Sequence, residues 1–243
     1  MLDFTKTADD IVNEATDLAI LPIGSTEQHG PHLPMCTDYT VATEISKLIA
    51  KKTGAYLLPT LPISTCYEHK GKKGSVWMKP DTFYKVIQDI VLCLKDQGFT
   101  KVAVVLGHGG IFVATPAIRE LNAMHDGLKV AKIDFLQFFG TKEMLDVLEC
   151  SDNLHACEYE TSLMLYLKEE SVKKDKIKDA DFVPPYPRDF LNYVSLVKLS
   201  DTGVWGKPSL GTKEKGEKIT KILVEKSIEY MDKVFNTMDD KAW

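Results

Sequence analysis

The chain has 243 residues, 44% of them hydrophobic, which is enough to bury a sizeable core and reads as a single domain over 1–243. Thirty basic residues against 35 acidic ones leave a formal charge of −5, so nothing suggests a nucleic-acid or anionic-membrane partner, which would favour basic stripes. An N-terminus without an apolar leader, no apolar run near the roughly 18 residues of a membrane span, and five cysteines without CxxC spacing lead to the expectation of a reduced, cytoplasmic protein.

The apolar run 18–23, ending at Gly24, reads as a buried strand. Val41, Ile45, Leu48 and Ile49 recur at helical spacing, and 55–61 is a second apolar run. Phe83, Val86, Ile87, Ile90, Val91 and Leu94 form an amphipathic helix that Gly98 stops. The β-branched stretch 101–106 is a strand ending in Gly107-His108-Gly109-Gly110. A helix through Ile118 and Leu121, a strand over 129–135 and a helix over 161–167 follow. The last helix runs from about Thr212 to the C-terminus, with Ile219, Ile222, Leu223 and Tyr230 on one face. Such alternation predicts a parallel or mixed sheet with helices on both faces. The Pro-, Tyr- and Asp-rich stretch 181–205 reads as a long ordered loop or edge excursion.

Three polar segments sit at predicted strand or helix ends, where ligands of open α/β sheets bind. In the first, 24–38, Glu27 and His29 are two apart, so extended backbone points both to one side, and Asp38 can return to the same place across the Pro-rich turn. Imidazole with carboxylate suits Zn, Mn or Fe(II). The rival reading makes Asp38 a helix cap and His29 a satisfied loop histidine. In the second, glycines allow a ligand to approach His108 closely. A phosphate-binding turn is the alternative there, but GxGxxG and the P-loop Lys-Ser/Thr are both missing. The third, 152–162, opens a helix, where Glu158 and Glu160 could also be acids favoured by the helix dipole alone.

Glu27-Gln28-His29-Gly30-Pro31-His32-Leu33-Pro34 with Asp38, the His108-Gly109-Gly110 turn and His155-Ala156-x-Glu158-x-Glu160-Thr161-Ser162 resemble the creatininase (creatinine amidohydrolase) family. Gly203-Val204-Trp205-Gly206-Lys207-Pro208, followed by Gly216, is similar to its C-terminal signature. The resemblance implies a three-layer α/β/α sandwich with a mostly parallel sheet and two divalent metal ions per subunit, Zn, Mn or Fe(II). One ion would take Glu27, Asp38 and His108; the other would take His29, the bridging Asp38 and a glutamate. In creatininases proper that glutamate lies two residues after the position of His108, here Gly110, whereas many other members have a glutamate at the position of Glu158. The resemblance therefore implies Glu158 as the ligand, with Glu160 as the fallback or a supporting group behind the ligands.

The implied reaction is hydrolysis of a C–N bond in a small cyclic amide or formamide by a metal-activated water. His155 is expected to carry the proton to the leaving nitrogen, titrating near neutral pH, with Glu158 or Glu160 as alternative carriers. His69 and Trp77 are expected to contact the small-molecule substrate. The chain departs from the family pattern at Leu106 and Ile111, which replace asparagines, at Cys157, and over 67–74. These departures turn the expectation away from creatinine itself. Cleavage of a cyclic-diketone C–C bond or a short-peptide bond is the second reading, and a non-catalytic binding protein the third. The resemblance also implies a symmetric homo-oligomer, with a hexamer as one expected size.

Overall fold

The computed structural model describes residues 1–241. In chain order the elements are α1 (Ala8–Asn13), β1 (Leu18–Ile23), α2 (Thr37–Thr53), β2 (Tyr56–Leu57), α3 (Pro80–Asp96), β3 (Lys101–Leu106), α4 (Ala114–Met124), β4 (Lys129–Asp134), α5 (Lys142–Leu145), α6 (Glu158–Leu167), α7 (Leu196–Leu199) and α8 (Lys213–Asp240). The strands form one parallel sheet in the order β2-β1-β3-β4.

The sheet is covered on both faces, and the alternation of its strands shows why. Ile20, Ala103, Val105, Ala131 and Ile133 pack with α2, α6 and α8. Their neighbours Ala19, Leu21, Val102, Val104 and Val130 turn to α3 and α4 on the opposite side. Strand period 2 sends successive side chains to opposite layers, so a doubly covered strand must be apolar throughout. The result is an α/β/α sandwich, as expected. Each fully buried aliphatic side chain contributes about 1.5–3 kcal/mol.

Connections from β1 run outward to β2 on one side, while β3 and β4 lie on the other. The order therefore reverses between β1 and β3, and a crevice opens at their carboxyl ends. Two glycines let the start of α2 into it. A β-carbon on Gly24 would lie 2.5 Å from the Tyr39 backbone, and one on Gly107 would lie 2.8 Å from the Asp38 carbonyl oxygen. The start of α2, and Asp38 with it, is thus wedged between the ends of two strands.

Some boundaries differ from the expectation. The apolar run 55–61 forms only the two-residue β2, because beyond it the backbone pairs singly, Ile23 with Leu61. Helix α6 begins at Glu158 rather than at 161, and the short α1 has no apolar stripe to announce it. The C-terminal helix ends at Asp240; the last two residues of its predicted run lie outside the described residues. The excursion over 181–205 is ordered by a 3-10 turn, Arg188–Asn192, and by α7. It is tied down by backbone pairing of Phe182 with Gly206 and of His155 with Trp205. Among the described residues no helix is long and apolar enough to cross a membrane.

Candidate metal centre

Glu27, His29, Asp38 and His108 meet in the crevice, all buried. Asp38 stands between two donor sets. Its Oδ1 is 3.1 Å from His29 Nε2, and its Oδ2 is 3.1 Å from His108 Nδ1. Ser25 Oγ donates to Oδ2 at 2.9 Å. His108 Nδ1 also lies 3.2 Å from Glu27 Oε1. Glu27, Asp38 and His108 form one group able to hold a cation; His29, Asp38 and Glu160 form a second, and Glu27, His29 and His155 a third.

Glu27 gives the clearest sign that the residues present fit a cation. Its carboxylate is fully buried, yet neither oxygen has an aligned hydrogen bond, and His108 Nε2 has none either. Leaving such groups unpaired would be costly. Burial alone would raise the Glu27 pKa, but His108 and His69 outweigh it and hold the carboxyl well below its ordinary range. Burial likewise opposes charge on His29 and His108, while Asp38 and Glu27 respectively, as the leading carboxylates, raise their pKa well above the usual value. Asp38 itself is lowered, since His29 and His108 overcome burial and the repulsion of Glu27. These crowded acids and imidazoles fit a hard or borderline divalent ion, which takes over the charge that protons would otherwise neutralise.

Gln28 orders the histidines around this cluster. Its Oε1 accepts from the Gly30 N–H at 3.1 Å, which fixes the amide so that Nε2 donates to the Gly203 carbonyl at 3.1 Å and to His69 Nδ1 at 3.0 Å. His69 Nε2 lies 3.0 Å from Glu27 Oε1. His155 Nε2–H donates to the Gln28 carbonyl at 2.6 Å, and its Nδ1 faces Glu27 Oε1 at 3.8 Å. Burial first, then His29 and His69, keeps the His155 pKa well below the ordinary value. His155 thus sits beside the cluster with Nδ1 toward Glu27, where the direction of its shift runs against the expectation of titration near neutrality.

The structure places Glu158 away from the other expected ligands. It is fully buried but turned away from the cluster. Its carboxylate accepts from the Glu149 and Cys150 N–H groups and from Lys215 Nζ, at 2.5–3.1 Å. It fastens the start of α6 to α8 and stands in none of the three ligand groups. Glu160, the fallback, faces the cluster instead, with Oε1 3.8 Å from His29 Nε2.

The cluster opens into a cavity of about 410 Å³, within the common range of ligand pockets. His69, His155 and Glu160 line it; Trp77 does not. Backbone bonds from Val76 to Thr26 and from Met78 to Ser64 hold that segment extended, and Trp77 lies edge-on to Tyr67 with ring centroids 5.7 Å apart. Sequence reasoning missed Glu68, Gln28 and the contribution of 181–205, which brings Arg188, Asn192, Leu191 and Leu196 to the wall. Arg188 makes no ion pair among the described residues. The Gln28 role was foreshadowed only by its place between Glu27 and His29; Arg188 and Asn192 carried no local signal.

Fold and centre together define an α/β sandwich protein whose carboxylate and histidine side chains are arranged to hold divalent cations at a strand-order switch. The chain belongs to the creatininase family: the family described as "Creatininase: Creatinine amidohydrolase" matches residues 5–231. It is similar to creatinine amidohydrolase from Pseudomonas putida, 28% identical over 225 residues that cover 85% of each chain. It is also similar to the mycofactocin precursor peptide peptidase of Mycolicibacterium smegmatis, 24% identical over 212 residues, 83% of this chain and 79% of that one. A solved structure described as "Creatininase Mn" superposes with a TM-score of 0.80 at 23% identity, over 96% of this chain and 98% of that one, and so shares the fold.

Proposed function

We propose that this chain is a metal-dependent amidohydrolase that cleaves a C–N bond of a small amide, either cyclic or a formamide. The observation that carries the reading is Asp38, whose two oxygens face two separate donor sets 3.1 Å away on either side. Glu27, Asp38 and His108 would hold one divalent ion, and His29, Asp38 and Glu160 a second. The bound ions would supply Lewis acidity toward a carbonyl oxygen and acidify water near neutral pH.

The remaining work falls to the chain's own groups. Asp38, held by Ser25 and both histidines, keeps the two donor sets in register. His29 Nδ1 lies 3.2 Å from the Glu27 carbonyl, an anchor that leaves Nε2 to face Asp38 and Glu160. His155, with Nδ1 directed at the centre, can accept a proton there and pass it to the leaving nitrogen. The apolar wall of Phe112, Leu136, Leu154, Leu191 and Leu196 keeps water from the substrate's far side. The reading extends to one domain over the described chain, a cytoplasmic location supported by five free cysteines, and a homo-oligomer supported by the exposed aromatics Tyr186, Phe190 and Tyr193.

A second reading, cleavage of a short-peptide bond, is favoured by one observation: the segment 181–205 lines the cavity with Arg188 and Asn192, and Arg188 makes no ion pair among the described residues. The test is to strip the protein, reload it with Mn(II) or Zn(II), and follow product masses over a panel of cyclic amides, formamides and short peptides. A metal-dependent new amine from a small amide supports the first reading, and release of peptide fragments alone supports the second. A metal-loaded chain inert to the whole panel would favour a binding protein.

A further inference from the structure

The turn that carries His69 also brings in an acid that belongs to none of the ligand groups. Glu68 Oε1 lies 3.1 Å from His108 Nε2, behind the ring. The other ring nitrogen, Nδ1, faces Glu27 and Asp38. The imidazole is therefore flanked by carboxylates on its metal side and backed by one on the far side. A ligand histidine whose second N–H meets a carboxylate is kept in one tautomer and one orientation, and binds metal more strongly.

Room for this acid exists because residue 110 is glycine. A β-carbon there would sit 1.8 Å from Glu68 Oε1 and 2.4 Å from His108 Nε2, which no side chain can do. The approach is also anchored. Thr65 Oγ1 donates to the Gly110 carbonyl at 3.0 Å, and the His69 N–H donates to the Cys66 carbonyl at 3.1 Å, closing the turn that carries Glu68. The terminal torsion of a glutamate is broad, so the carboxyl is free to turn into line with the ring N–H.

The geometry points to Glu68 as the positioning residue of His108, with Gly110 as the gap that admits it. An acid borne on a neighbouring loop thus fills the space that a side chain at 110 would occupy, and acts through the histidine. The inference rests on the reading of the cluster as a metal centre.

The test measures Mn(II) or Zn(II) affinity of the whole chain by chelator competition, beside thermal melting of the metal-free protein. Glu68→Ala should weaken binding of one ion by about 10–100-fold and leave the metal-free melt unchanged. Glu68→Gln keeps a carbonyl acceptor and should recover part of the loss. Gly110→Ala should weaken binding at least as much as Glu68→Ala, since it displaces the carboxylate. Should Glu68→Ala fail to fold, Glu68→Lys, which keeps the stem and reverses the charge, should show the same loss. Wild-type affinity in Glu68→Ala or Glu68→Lys would overturn the inference while leaving the metal centre intact. A wild-type chain that takes up neither ion would remove the centre itself, and this inference with it.

Discussion

The loop after β1 and the first turn of α6 each carry a pair of polar residues two positions apart, and the pairs behave in opposite ways. Glu27 and His29 both reach the centre; of Glu158 and Glu160 only the second does. In extended backbone the side-chain period is 2, so positions i and i+2 share a side. In a helix each residue turns about 100°, so the same spacing sends two side chains to nearly opposite faces. Glu160 looks into the crevice and Glu158 into the seam with α8, where Lys215 meets it. A spacing carries meaning only together with the backbone that bears it.

The largest effect should come from the residue that joins the two regions. Asp38→Ala removes an oxygen from each donor set, and metal content measured by elemental analysis should fall from both sites, with turnover lost. Retention of one full equivalent would show that the sets are independent. His155→Ala comes next. It should lower turnover by about 10²–10⁴-fold with metal content unchanged, because the ring handles a proton rather than holding the ion. Loss of metal in that variant would instead make His155 a ligand through the group it forms with Glu27 and His29.

The contrast inside α6 is tested directly by a matched pair. Glu160→Gln should cost one ion and leave melting of the metal-free chain nearly unchanged. Glu158→Gln should retain metal but lose about 1.5–3 kcal/mol of stability, the usual worth of hydrogen bonds to a charged group. Exchange of these two outcomes would reverse the assignment of faces.

The smallest effect concerns His32, whose Nε2 lies 2.9 Å from Thr161 Oγ1 on α6 and so ties the two regions together. Burial, aided by His29, pushes its pKa down to about 4. In the unfolded chain it takes a proton near 6.5. Between those values the unfolded state binds more protons, so this contribution to stability is complete above about pH 6.5 and is lost as pH falls toward 4. Linkage limits it to the order of 3 kcal/mol. His32→Gln should flatten the dependence of the melting temperature over that window. An unchanged slope would place the acid sensitivity elsewhere.

Much of this was legible in the chain alone, for a physical reason. Strand and helix periods are local properties, so the buried runs 18–23 and 101–106, the amphipathic helix at 83–94 and the shared side of Glu27 and His29 all follow from residue spacing. The polar, glycine-rich ends of those strands likewise marked where a site would lie. What remained undetermined depended on the phase of one element against another. Which glutamate of α6 faces inward was set by where the helix begins and by the Lys215 partner on α8, 57 residues away. Whether 67–78 delivers Trp77 or Glu68 to the centre was set by its pairing with Thr26 and by the empty space at Gly110. The wall formed by Arg188 and Asn192 was set by the route of a long excursion. Such relations join residues distant in sequence, and local periodicity carries no information about them; only packing of the layers decides them.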